Sequence, residues 1–153
     1  SSLFFGAEPD QVGVQDELLR RREKVPNLSG ASALGLKSGS FEELARGLES
    51  GRYWGLYVLE RDLEKVWGAR ARGLLAKPRL RVLQSPFKGA LGDAYDYRLP
   101  STAYVEETGH FTNFEGKVQA YERALEPIGS ARTDWEIFGR IQSRLQAPQE
   151  AAA

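Results

Sequence analysis

The residues best suited to chemistry gather between Asp93 and Gln119: the carboxylates Asp93, Asp96, Glu106 and Glu107, the sole histidine His110, and the polar pair Thr112 and Asn113 between Gly109 and Gly116. Each admits a role. The four acids could offer hard oxygen ligands to Mg²⁺, or could be ordinary acids of solvated loops. Glu106 and Glu107 are adjacent, so in an extended segment they point to opposite sides and cannot act as a paired acid and base. His110 could serve as a general base near neutral pH, or hydrogen-bond its own loop, and no Ser, Cys or carboxylate triad pattern accompanies it. Thr112, Asn113 and backbone groups beside Gly109 and Gly116 could hold the polar edge of a flat ligand, with Phe111 or Phe114 packed beneath it. The alternative makes both phenylalanines core and has Asn113 bond its own loop.

Composition narrows the field. At 153 residues with 41% apolar content, the chain can bury one core, so a single α/β domain over residues 1–146 is expected, with a disordered tail at 147–153. Lys plus Arg equals Asp plus Glu at 21 each, so no global field directs it to nucleic acid or an anionic membrane. No cysteine is present, which excludes disulfides, thiolate-bound zinc and cysteine-ligated iron–sulfur clusters in this segment. The opening SSLFFG carries neither an initiator nor a signal-peptide pattern, which suggests a fragment or processed product. Tyr53–Leu59, the longest apolar stretch, is too short to span a bilayer, so a soluble protein or piece is expected.

The elements that must position these residues follow from spacing. Leu3–Phe5 reads as a short strand and Asp10–Lys24 as a helix ending in basic residues before Pro26. Asn27–Gly39 is a Gly/Ser-rich connection without dinucleotide or P-loop fingerprints. Ser40 and Glu43 form a capping box for a helix through Leu48, closed by Gly51. Arg52–Glu60 reads as a strand buried on both faces, Asp62–Leu75 as a helix, and Arg79–Gln84 as a second strand. A loop from Ser85 leads to a short strand Tyr97–Leu99, and Asp134–Leu145 is a helix with Trp135, Phe138, Ile141 and Leu145 on one face, capped by Ser130 or Thr133. This alternation predicts a mostly parallel sheet, with ligand edges beyond the strand ends at Glu60–Asp62 and Gln84–Lys88. Tyr104–Gln119 has no clean period and reads as a shaped loop.

One resemblance covers most of the chain. The run LPSTAYVEETGHFTNFEGKVQ resembles the molybdopterin oxidoreductase pattern in which Leu-Pro leads to an acidic residue, Gly, Phe, Thr, Asn, Glu, Gly, a basic residue, Val and Gln. Asn27, Gly30, Ala31 and Gly35 resemble its N-x-x-G-A-x-x-x-G segment, and Asp134, Trp135, Glu136 and Ile137 its closing helix. Within that family the chain looks most like the C-terminal part of the large iron–sulfur subunit, the G chain, of respiratory NADH-quinone oxidoreductase (complex I). The resemblance implies a fragment of a Rossmann-like layered fold. It also implies iron–sulfur clusters elsewhere in a longer subunit, partner subunits of a respiratory complex, and a location in the cytoplasm or on the cytoplasmic side of the inner membrane. Relatives of the complex I type generally lack the molybdenum cofactor, which implies a structural rather than catalytic domain.

Were a pterin retained, as in a formate dehydrogenase, Gly109, Thr112, Asn113, Glu115 and Gly116 would line it. Two departures bear on that pocket: Tyr97 and Arg98 stand where small or branched apolar residues are usual, and His110 where Thr is common. A stand-alone interaction module is the remaining class.

Overall fold

Ser40 opens a helix by a reciprocal cap: its hydroxyl accepts from the Glu43 amide at 3.1 Å, and the Glu43 carboxylate accepts from the Ser40 amide at 2.7 Å. Both amides belong to the set that a helix start leaves without partners. In the computed structural model, which describes residues 27–36, 39–113 and 115–146, this helix is α2, Phe41–Glu49, and a shorter α1, Leu28–Ala33, precedes it. The segment that reads as a plain connection therefore contains a short helix, whose first turn forms where Ala31 N donates to Asn27 O at 3.0 Å. The strand expected at Leu3–Phe5, the helix expected at Asp10–Lys24 and the tail expected beyond Gln146 lie outside the described residues.

Three strands form a parallel sheet in chain order: β1, Gly55–Leu59; β2, Leu80–Ser85; and β3, Tyr97–Pro100. The register sets Val58 beside Leu83 and Leu59 beside Gln84. Strand side chains alternate, so Val58 and Leu83 share one face while Tyr57, Leu59 and Gln84 share the other. The core lies on the first face, where Leu44 and Leu48 of α2 meet Leu63, Trp67, Leu74, Leu75, Val58 and Leu83. The expectation that β1 is buried on both faces does not hold: Val58 is buried, but Tyr57 and Leu59 are 40% and 43% exposed. An apolar run reports that a strand packs against something, and does not say on how many sides.

The crossover from β1 to β2 is not the single helix that spacing predicts over Asp62–Leu75 but two, α3 (Leu63–Trp67) and α4 (Ala71–Leu75). Gly68 separates them, with φ 55° and ψ −134°, outside any helical conformation and in a region that a residue without Cβ tolerates. Both pieces still deliver their apolar residues to the core, so spacing alone does not reveal the break.

The second face of the sheet meets α5, Asp134–Gln146, where the Phe138 ring lies 5.8 Å from that of Tyr57. Thr133 caps α5, donating its amide to Glu136 Oε2 at 3.0 Å and accepting from Glu136 N at 3.4 Å. Of the apolar stripe on α5, Phe138 meets Tyr57 and Ile141 is half-buried, while its two ends stay in solvent. Ile137 is the buried residue of α5, whereas Trp135 and Leu145 are 76% and 80% exposed. The cap and a contact from Asp134 tie down the start of the helix.

Candidate functional site

Tyr104–Gln119, which reads as a loop, contains most of a β-hairpin: β4, Gly109–Thr112, pairs antiparallel with β5, Val118–Tyr121. Its glycines serve different needs. Gly116 takes φ 79° in the turn, and a Cβ on Gly109 would overlap the Tyr121 ring. Phe111 stacks on Tyr121 with ring centroids 4.9 Å apart, so it packs within the hairpin rather than in the main core. Phe114 lies outside the described residues. His110 is exposed and sits opposite Ala120 in the ladder.

The hairpin brings Gly109, Thr112, Asn113, Glu115 and Gly116 together, yet much of their polar capacity is used locally. Asn113 Oδ1 accepts from Glu115 N at 3.0 Å and from Lys117 N at 2.9 Å, and the Asn113 carbonyl accepts from Gly116 N at 3.0 Å. Thr112 N donates to Asn27 Oδ1 at 2.9 Å, which ties the hairpin to the start of α1. Asn113→Ala should therefore lower hairpin stability by about 1 kcal/mol, since two amides lose their acceptor at an exposed turn. Hydrogen exchange at Glu115 and Lys117 reads this directly, and unchanged protection would count against it.

A denser polar cluster lies beyond the carboxyl ends of the strands. Glu60 follows β1 at φ 53°, a left-handed conformation uncommon for any residue with a Cβ. Its amide donates to Gln84 O at 2.8 Å, extending the β1–β2 pairing. Gln84 is fully buried; its Nε2 donates to Asp134 Oδ1 at 2.6 Å, and its Oε1 accepts from the Tyr57 hydroxyl. A carboxylate only accepts, so Asp134 determines which end of the Gln84 amide faces it and directs the amide oxygen to Tyr57. Glu107 accepts from Thr102 Oγ1 at 3.0 Å, just past β3.

Burial, aided by the Asp134 and Glu107 carboxylates, raises the Glu60 carboxyl to about 7. Burial likewise raises Glu107 and the Tyr57 hydroxyl, each with Asp134 adding. Glu60 and Gln84 sit in the two segments expected at the ligand edge. Sequence reasoning does not place Asp134, Glu107 or Tyr57 there; Asp134 reaches Gln84 across 50 residues, a pairing that no local signal announces.

These shifts set a pH dependence. Because Glu60 holds its proton more tightly when folded, its contribution to stability is complete below its ordinary value of 4.5 and is lost as pH rises through about 7. Glu60→Gln should flatten the decline of the urea midpoint across that window, and identical slopes in wild type and variant would contradict this assignment.

The acids considered for Mg²⁺ do not converge. Asp93 pairs with Lys88 at 2.9 Å, Asp96 with Arg81 at 2.5 Å, and Glu106 accepts from Ala103 N at 2.8 Å. Among the described residues, no group of three or more acidic or histidine side chains is placed to hold a metal ion. At the ends of β1 and β2, Arg61, Ser85, Lys88, Gly89 and Tyr95 line a cleft of about 40 Å³, far smaller than the hundreds of Å³ an organic cofactor occupies. Ser101 Oγ, just past β3, is buried without a hydrogen-bond partner among the described residues, and a hydroxyl there can donate or accept. The described residues do not by themselves form a pocket that fits a large anionic pterin: Glu60, Glu107 and Asp134 add negative charge at this edge, and the cleft beside them, lined by Arg61 and Lys88, is small.

No helix of the described residues is long and apolar enough to cross a membrane. Comparison with known proteins places the chain among oxidoreductases. The alpha subunit of an NADPH-Fe(3+) oxidoreductase from Geobacter sulfurreducens is 34% identical over 105 residues, 67% of this chain and 12% of that protein. A Staphylococcus aureus protein named "Putative formate dehydrogenase" is 31% identical over 149 residues, 92% of this chain and 15% of that protein. The chain thus spans 12% to 15% of the length of these relatives. Residues 24–144 match the sequence profile described as Molybdopterin oxidoreductase, and the parallel three-stranded sheet with its helices agrees with a fragment of such a domain. The chain belongs to the molybdopterin oxidoreductase family.

Proposed function

We propose that this chain is a non-catalytic domain in the large subunit of a NADH-quinone oxidoreductase of the complex I type. It supports electron transfer from NADH to quinone that is carried by other parts of the assembly. The observation that carries this reading is the state of the cofactor-framing residues. Asn113 holds its own turn, Thr112 is tied to Asn27, and the neighbouring strand edge carries Glu60, Glu107 and Asp134. With no cysteine in the chain, the iron–sulfur clusters belong to other segments of the subunit, and its partners are the other subunits of a respiratory complex. The expected location is the cytoplasm, or the cytoplasmic side of the inner membrane as part of a complex.

The 31% identity to the Staphylococcus aureus protein favours a second reading, a domain of a molybdenum or tungsten formate dehydrogenase. In that reading Gly109, Thr112, Asn113, Glu115 and Gly116 line a pterin, and Asn113→Ala reduces cofactor retention. Assay of the native assembly separates the two. The first reading expects NADH oxidation with a quinone acceptor and no turnover of formate. Formate oxidation without NADH–quinone activity would sink it.

A further inference from the structure

We infer that Glu60 closes the carboxyl edge of this sheet to phosphate-bearing ligands, molybdopterin among them. The inference rests on the functional reading above and names the residue that would enforce it. A phosphate group carries close to two negative charges at neutral pH and is held by free backbone amides, helix starts and cations. In sheets of this kind it would approach at the carboxyl ends of the strands. Here the Glu60 amide is turned back onto Gln84 O at 2.8 Å and does not serve a ligand.

Two charges fixed at this edge are of the wrong sign. Gln84 holds Asp134 at 2.6 Å and Thr102 holds Glu107 at 3.0 Å, so two carboxylates are fixed in the electrostatic neighbourhood of Glu60. The nearby cations are engaged. Lys88 pairs with Asp93 at 2.9 Å, and Arg61, which lines the same cleft, lies 5.5 Å from the centre of the Phe41 ring. An added phosphate would face like charge, an arrangement that costs several kcal/mol across typical interfaces.

Glu60 differs from the other two acids in a way that identifies it as the deciding group. Asp134 and Glu107 have hydrogen-bonding duties that account for their presence, whereas no hydrogen bond holds the Glu60 side chain among the described residues. It also occupies a φ of 53°, where glycine is the unstrained choice. Removing its charge leaves the Gln84 relay in place, and substitution by glycine relieves the backbone as well.

The test compares the full wild-type chain with Glu60→Gln and Glu60→Gly, titrated with inorganic pyrophosphate and followed by ³¹P line broadening. Glutamine keeps the size of the side chain and glycine suits the backbone, so neither variant should fail to fold. At about pH 8 the wild type is expected to bind at least about tenfold more weakly than both variants. At about pH 5.5, where Glu60 is protonated, the difference should shrink to about twofold or less. Equal binding by all three chains at the higher pH would overturn the inference. Absence of binding by all three would also overturn it, because some group other than Glu60 would then exclude the anion. A native assembly that oxidises formate instead of NADH would remove the functional reading without altering the pyrophosphate comparison.

Discussion

Replacing Gln84 by leucine is expected to lower the unfolding free energy by about 3 kcal/mol, although the two side chains are similar in volume. Gln84 has no exposed surface, and its amide links the Tyr57 hydroxyl on β1 to the Asp134 carboxylate at the start of α5. A hydrogen bond to a charged group is worth about 1.5–3 kcal/mol, and deleting one partner leaves the other desolvated and unsatisfied. Asp134 is only half-buried, so water recovers part of the loss and the cost stays at the lower end of the range for a broken buried pair. The substitution Gln84→Glu should be worse, since it sets an acceptor against Asp134 and adds charge to an acidic edge. Urea unfolding of the three chains at neutral pH orders them. A leucine variant within about 0.5 kcal/mol of wild type would mean that the relay does not anchor α5.

Leu48→Ala should cost about 3–4 kcal/mol by an unrelated route. Leu48 is fully buried on α2 in the cluster that includes Val58, Leu75 and Leu83, where a shortened side chain leaves a cavity that close-packed neighbours fill only in part. The contrast is Leu145→Ala on α5, where a leucine 80% exposed should change stability by less than about 0.5 kcal/mol. If both substitutions had the same cost, the core would not lie on the α2 face of the sheet. Chemical denaturation decides this without any assay of activity.

The two cases show which parts of the molecule are legible in sequence. The capping box at Ser40 and Glu43, the apolar stripe of α2 and the order of strands are local or periodic signals, and the structure reproduces them. Spacing also locates the ends of β1 and β2 as the ligand edge, and Glu60 and Gln84 do meet there. What spacing lacks is the identity of the facing elements. It cannot say that α5 turns Ile137 inward and leaves Trp135 exposed, nor that Asp134 crosses 50 residues to Gln84. The break at Gly68 is hidden because both helices keep the period, and the hairpin around Asn113 is hidden because its short strands alternate too weakly to register. Long-range polar contacts and backbone breaks decide the site, and neither has a one-dimensional signature.

In the function proposed here, the fold of a pterin-binding family persists without the pterin. Its most direct test is metal and pterin analysis of the native assembly containing this chain. Molybdenum and tungsten would be quantified per polypeptide, the pterin measured by fluorescence after oxidation, and iron–sulfur signals recorded by electron paramagnetic resonance. Iron–sulfur signals are expected, with no stoichiometric molybdenum, tungsten or pterin. One metal-bound pterin per chain would contradict this proposal.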